Sequence, residues 1–303
     1  MSTYRVVHTT RYDYEHPASL CHGEGRLVPR ALPGQHLRRS ELRVDPAPAS
    51  LVERDDFFGN RALFFSVEGP HGSLEVTCTS EVEVAPQEPP LLEGSLAWEV
   101  ARVSAWNGTD APLIHARQFA LESPAIPLSA ELEAYARPSF PPARPLLAAV
   151  ADLMGRIHTE FAYSPQSTTV ATPVAEVLRQ RRGVCQDFAH LALGCLRSLG
   201  LAARYVSGYL ETLPPPGRER LVGADASHAW FAVCAPDSGW VDFDPTNNQI
   251  PRGRHVTVAW GRDYHDVAPL KGVVLGGGRH KVRVSVDVAP LDPAPAPPAG
   301  PTP

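Results

Sequence analysis

The sequence predicts an α+β protein: an all-β N-terminal domain, then a core in which one helix packs against an antiparallel sheet. Three observations carry that prediction. Apolar and polar residues alternate through much of residues 3–84. The period then changes to a helical one, and the chain turns rich in alanine and leucine. Last, a helix bearing two cysteines is followed by closely spaced strand-like segments.

In chain order, Tyr4, Val6, His8, Thr10, Tyr12 and Tyr14 share one face of a strand over residues 3–14, because successive strand side chains point to opposite faces. Residues 36–44 and 61–70 read as strands. Residues 73–84 set Leu74, Val76, Cys78, Ser80, Val82 and Val84 against Glu75, Thr77, Thr79, Glu81 and Glu83, the pattern of a half-buried antiparallel strand. Gly59-Asn60 and Pro70-His71-Gly72 are turn signals between them. These residues define a β-rich unit over 1–88. A helical connecting region follows over 89–148, then a core over 149–290 that ends in a strand at 280–288. Residues 291–303 form a Pro/Ala tail expected to be disordered.

Within the core, Leu146, Val150, Leu153, Met154 and Ile157 fall at helical spacing. In "TPVAEVLRQRRGVC", Thr172 is the expected N-cap, Pro173 suits the first helical position, and Gly183 interrupts the helix before Cys185. Gly200 is expected to end the next helix. Residues 203–210, 227–236 and 239–245 read as strands, the last two joined by a turn at 236–239. Residues 211–225 read as a loop.

Composition excludes several classes. The 303 residues carry 33 acidic and 28 basic side chains, a formal charge of −5, with no basic stripe, so a nucleic-acid partner is not expected. No apolar run reaches the ~20 residues of a spanning helix, and the N-terminus lacks a signal-peptide pattern, so no membrane association is expected. Five cysteines, odd in number, widely spaced and without a CxxC pair, argue against a disulfide framework and a zinc ribbon. A reducing, cytoplasmic location fits them. With no HExxH, no Walker loop and no strand–GxGxxG–helix unit, neither a metal nor another cofactor is expected. The glycine run "LGGGRH" precedes a strand rather than a helix, a poor phosphate cradle.

The chemistry concentrates after Gly183. Phe188, Leu191, Ala192, Cys195, Leu196 and Leu199 recur at three- and four-residue steps and form the core face of a helix. Cys195 sits in the middle of that face, as a small buried hydrophobe. Cys185 sits at the helix start, where unpaired N–H groups and the helix dipole favour an anion. Gly183 would let the chain turn sharply and leave room for a substrate. A thiolate nucleophile needs a base, and His228, opening an apolar strand, is the candidate. If Ala235 pairs with Gly239, Trp230 lies opposite Asp244, and His228 is its diagonal neighbour at ~7–8 Å between backbones. Asp244 would then orient the imidazole. Strand parity alone does not choose between Asp242 and Asp244. Trp230 and Trp240 are candidates to wall the site. His190 reads as structural, and His255, His265 and His280 fall in loop or strand-edge contexts.

These residues resemble a known family. "RRGVCQDFAHLALGCLRSLGLAARYVSGYL", "ASHAWFAV" and "GWVDFDPTN" occur in the order of the transglutaminase-like superfamily: Gly-x-Cys opening a helix, His opening a strand, then a Gly-Trp-x-x-x-Asp-Pro-Thr strand. "VHTTRYDYEHPA", "LVPRALPGQ" and "DDFFGN" look like the β-rich N-terminal domain of bacterial transglutaminase-like proteins, and "WGRDYHDVAPLKGVVLGGGRHKVRVSVDV" like their C-terminal segment. The resemblance implies a papain-like core and the roles of nucleophile for Cys185, base for His228 and orienter for Asp244, which settles Asp244 over Asp242. It implies acyl transfer on a peptide or protein amide through a thioester, with hydrolysis as the expected outcome. Amine transfer to glutamine and a non-catalytic binding module are the alternatives.

Overall fold

The computed structural model describes residues 1–211 and 227–291. The expected loop at 211–225 and the expected tail therefore lie outside the described residues, apart from Glu211 and Leu291.

The fold is α+β. Four strands open it: β1 (Ser2–Gly25), β2 (Gln35–Asp45), β3 (Ser50–Asp55) and β4 (Arg61–Val84). β1 and β4 run antiparallel over nearly their whole length. The alternation read at 73–84 is realised, with Leu74, Val76, Cys78, Ser80, Val82 and Val84 buried. Gly59, at a positive φ of 71°, makes the turn into β4. Pro70-His71-Gly72 does not turn the chain. β4 continues through it, and the register with β1 shifts on either side of the Ala18–His71 pair. Pro17 precedes that pair and has no N–H for the ladder, so the two strands bend together instead of separating.

The connecting region forms α1 (Trp98–Asn107), α2 (Ala111–Ala116) and α3 (Ala130–Ala136), followed by α4 (Leu146–Glu160). Next come β5 (Ala162–Tyr163), α5 (Val174–Gln180), β6 (Arg182–Gly183) and α6 (Cys185–Ser198). Helix α5 is capped by Pro173, not Thr172. The Thr172 hydroxyl is already taken by the N–H of Thr169. Gly200, at φ 77°, ends α6 with its N–H on the Arg197 carbonyl.

The second sheet contains β7 (Ala203–Leu210), β8 (Ser227–Ala235), β9 (Gly239–Phe243) and β10 (His255–Gly261), in the order β10-β7-β8-β9. Ala235 pairs with Gly239, as the turn requires, and the ladder runs back to Phe231–Phe243. Helix α6 packs on one face, where Phe231, Phe243, Tyr205 and Tyr209 join Phe188, Leu191 and Cys195 in one core.

After α7 (Tyr264–Val267), β11 (Leu270–Gly276) and β12 (His280–Pro290) return to the first sheet. β12 pairs with β1 from Tyr4–Pro290 to Tyr14–His280, and β11 from Ala18–Gly276 to Gly25–Leu270. The late strand expected as an extension of the core thus completes the N-terminal sheet. Two things favour this. The free edge of β1 offers unpaired backbone groups along 24 residues. Val286 and Val288, both fully buried, join Tyr4, Val6, Val82 and Val84 in the core shared with α4 and α6. The "LGGGRH" glycines, with Gly276, Gly277 and Gly278 at positive φ, make the turn between β11 and β12.

Candidate active site

Cys185 is the first residue of α6. The chain reaches it through Arg181, at φ 54°, and the two-residue parallel ladder of β6 with β5. Arg181, not Gly183, therefore makes the left-handed turn. Nor does Gly183 leave open space: an added Cβ would lie 2.7 Å from the Asp187 side chain. The buried Asp187 carboxylate accepts from the Val184 N–H at 2.8 Å and the Thr168 hydroxyl at 2.6 Å, closing the helix N-terminus just ahead of the cysteine. Cys185 remains partly exposed. Cys195 is fully buried, and burial pushes its thiol pKa far up.

His228 lies near the start of β8, one residue past Ser227. Its Nε2 donates to Asp244 Oδ2 at 2.8 Å, and the ring lies close enough to Cys185 for the thiol to favour the imidazolium. Burial would lower the His228 pKa, but the hydrogen bonds and charges of Asp244 and Cys185 outweigh it and carry the imidazole up to about 10. Asp244 follows β9 and is fully buried. Its backbone is fixed by mutual N–H···O bonds with Gln249, and its Oδ1 accepts the N–H groups of Thr246 and Asn247 at 3.0 and 3.3 Å. Burial would raise its pKa. The hydrogen bonds from His228 and His255 win and hold it far below the usual carboxylate range. Asp242 lies on the same face but pairs in register with Ala232, among Arg204 and Trp230, and burial pushes its pKa up.

Comparisons with known proteins match both parts of the chain. Residues 4–83 match the bacterial transglutaminase-like N-terminal region, and residues 133–245 match the transglutaminase-like superfamily. An uncharacterized protein of Mycobacterium tuberculosis is 43% identical over 297 residues, covering 95% of this chain and 93% of that protein.

The chain belongs to the transglutaminase-like superfamily.

An uncharacterized Mycobacterium leprae protein is 35% identical over 95% of this chain and 98% of its own length. A protein-glutamine gamma-glutamyltransferase of Pseudomonas aeruginosa is 34% identical over 131 residues, 41% of this chain and 20% of that protein. A Cytophaga hutchinsonii structure described as a candidate cysteine protease shares the fold, with a TM-score of 0.75 over 98% of this chain and 93% of that chain, at 22% identity.

Beside His228 and Asp244, the structure adds a residue that sequence spacing does not reveal. His255, which the sequence places in a loop or strand-edge context, opens β10 and donates Nε2 to Asp244 Oδ2 at 3.0 Å. Asn247 Nδ2 donates to the same oxygen at 2.8 Å. His228, Asp244 and His255 also form, among the described residues, a group of potential metal ligands whose donor atoms lie within 4.8 Å of one another. They come from β8, the residue after β9, and β10, so no motif spacing announces them.

The two tryptophans do not front the thiol. Trp230 is fully buried, 5.9 Å from the His228 ring and 5.0 Å from His255. Trp240 pairs with Cys234 and packs on Phe119 and Arg204, toward the other end of the ladder. His190 is structural, as expected, but it is buried: its Nε2 accepts the Tyr264 N–H at 3.1 Å, and burial lowers its pKa to about 4. Partial burial, and then the neighbouring Cys185, raise the pKa of Tyr163 on β5. Among the described residues, no helix is long and apolar enough to cross a membrane.

Proposed function

We propose that the protein is a thiol acyl-transfer enzyme acting on peptide or protein amides through Cys185, His228 and Asp244, with hydrolysis as its reaction. The observation that carries this reading is the His228 ring, hydrogen-bonded to the buried Asp244 at 2.8 Å and near enough to the helix-start Cys185 for the thiol to favour its cation. In the reaction, Cys185 Sγ attacks the amide carbonyl carbon, and the backbone N–H of Cys185 at the start of α6 serves the developing oxyanion. The His228 imidazolium gives its Nδ1 proton to the departing amine. A thioester remains. His228, now neutral, takes a proton from water as the water oxygen attacks, and thiolate and acid are released. Asp244 keeps its charge throughout and stabilises the imidazolium.

Hydrolysis is favoured because Cys185 is partly exposed and neither tryptophan screens it from water. The second reading, amine transfer to a glutamine side chain, draws on the likeness to the Pseudomonas aeruginosa gamma-glutamyltransferase. A reducing, cytoplasmic location is part of the proposal and rests on five unpaired thiols.

The test is iodoacetamide labelling with peptide mapping, together with Cys185→Ala. Cys185 should label well before Cys195, and Cys185→Ala should abolish turnover of glutaminyl peptides. An ordinary labelling rate and an unchanged activity would remove the enzyme reading. Product analysis with and without a primary amine separates the two acceptors: free acid in both supports hydrolysis, and an amine adduct supports transfer.

A further inference from the structure

Asp244 has a second imidazole on the oxygen that binds the first. Oδ2 accepts from His228 Nε2 at 2.8 Å and from His255 Nε2 at 3.0 Å. The two rings arrive from different directions. His228 comes from β8, next to β9. His255 comes from β10, at the opposite edge of the sheet, with β7 and β8 between. What lets His255 reach is Gly208 on β7. It pairs with both His228 and Thr257, and a Cβ there would lie 2.1 Å from the Val256 carbonyl and 2.6 Å from the Trp230 ring. The missing side chain lets the Trp230 ring pack against Gly208, tilted 32° to the His228 ring at 5.9 Å. The His255 ring then stands edge-on to that indole, 5.0 Å away, which fixes the angle at which its N–H meets the carboxylate.

Asp244 needs such support. It lies one residue past β9, and the turn after it carries Asn248 at a left-handed φ of 48°. Backbone N–H groups hold Oδ1, whereas Oδ2, the oxygen that faces His228, is held by side chains alone. We propose that His255 is a positioning residue, which anchors Asp244 Oδ2 and through it keeps the His228 ring aimed at Cys185. The ionisable groups facing it are Asp244 and Asp242, which favour its cation, and His228, which opposes it. Burial outweighs these and keeps it neutral, so it donates a proton-bearing nitrogen to Asp244 without competing for its charge.

The catalytic part of this inference rests on the proposed triad, whereas the anchoring of Asp244 does not. The experiment therefore uses two readouts on the full chain: the pH profile of iodoacetamide labelling at Cys185, and the titration of the His228 ring nitrogens by NMR. His255→Phe keeps the ring packing on Trp230 and removes the donor. His255→Gln restores an N–H at similar reach, and His255→Asn holds its amide too short. In His255→Phe, neutral-pH labelling should fall about tenfold, the loss expected for one hydrogen bond to a charged group. Its acid limb should move up in pH and the His228 titration down. His255→Gln should recover most of each, and His255→Asn should not. A folded His255→Phe with both profiles unchanged would overturn the proposal. So would equal behaviour of Gln and Asn, which also decides the matter if Phe does not fold. If wild-type Cys185 labels like an ordinary thiol, it is the enzyme reading that fails, and the His228 titration still decides whether His255 positions Asp244.

Discussion

The two sheets use the same antiparallel ladder but recruit their strands over different distances along the chain. In the second sheet, β8 and β9 are joined by a short turn, and the Ala235–Gly239 pair sets every later pairing. In the first, β1 takes its outer partners from the far end of the chain, Tyr4 against Pro290 and Gly25 against Leu270. The lesson concerns register. A tight turn fixes register locally, so the relation of His228 to Asp244 follows from counting residues. A distant pairing leaves no local trace, so β12 looked like an extension of the core. The second sheet contains one distant recruit of its own, β10, and His255 rides on it.

The sharpest way to break this comparison is Asp244→Ala. If the local hairpin builds the catalytic geometry, kcat/KM should fall on the order of 10³–10⁴ with the protein still folded, as when the orienting carboxylate of a triad is lost. A loss below tenfold would show that the hairpin does not position the base. Next comes Val288→Ala on β12. It opens a cavity in the shared core and should cost about 2 kcal/mol in urea unfolding, with kcat unchanged at temperatures where the variant is folded. A matching loss of kcat would make the long-range sheet part of the site and not only its support.

Gly239→Val tests the turn itself. Gly239 sits at φ 79°, and a branched side chain there should cost about 1–2 kcal/mol. A register shift would add a loss of Cys185 labelling, whereas strain alone would leave labelling intact.

pH gives a gentler probe. His228, raised to about 10, binds its proton more tightly in the folded chain than at its unfolded pKa of about 6.5. Its stabilisation is fully present below about pH 6.5 and is lost as pH rises through about 10. Asp244, held low, acts in the opposite sense: its stabilisation is present above its unfolded value of about 3.9 and is lost as pH falls. Thermal unfolding should therefore show Tm declining between about pH 7 and 10, with a flatter profile in His228→Gln. Parallel profiles for the two proteins would remove His228 as the cause. The smallest effect is expected at the rim of the first sheet. Arg61–Glu53, at 4.0 Å and about half exposed on both sides, should change stability by no more than ~0.5 kcal/mol in Arg61→Ala.

Much of the site was legible in residue order. Cys185 at a helix start and Cys195 on its apolar face follow from helical spacing, and the structure leaves the first partly exposed and buries the second. The alternation at 73–84 and the hairpin at 227–243 likewise carry their own periodicity. Other features were not legible. Gly183 looks like a turn glycine, but its neighbour Asp187 decides its role by filling the space a Cβ would need. Trp230 looks like a wall for substrate, but the core and His255 enclose it. Pro70-Gly72 looks like a turn, but β1 bends with it.

By itself the sequence determined the alternation at 73–84, the helix-start thiol, and the hairpin register that brings His228 to Asp244, because each depends on interactions a few residues apart. Its motif order also pointed to the family. Tertiary structure alone decided that β11 and β12 complete the first sheet, that both sheets share one core, and that His255 meets Asp244 across β7 and β8. Those contacts form between segments far apart in the chain. Their energy comes from buried area and paired donors that exist only once the segments have met.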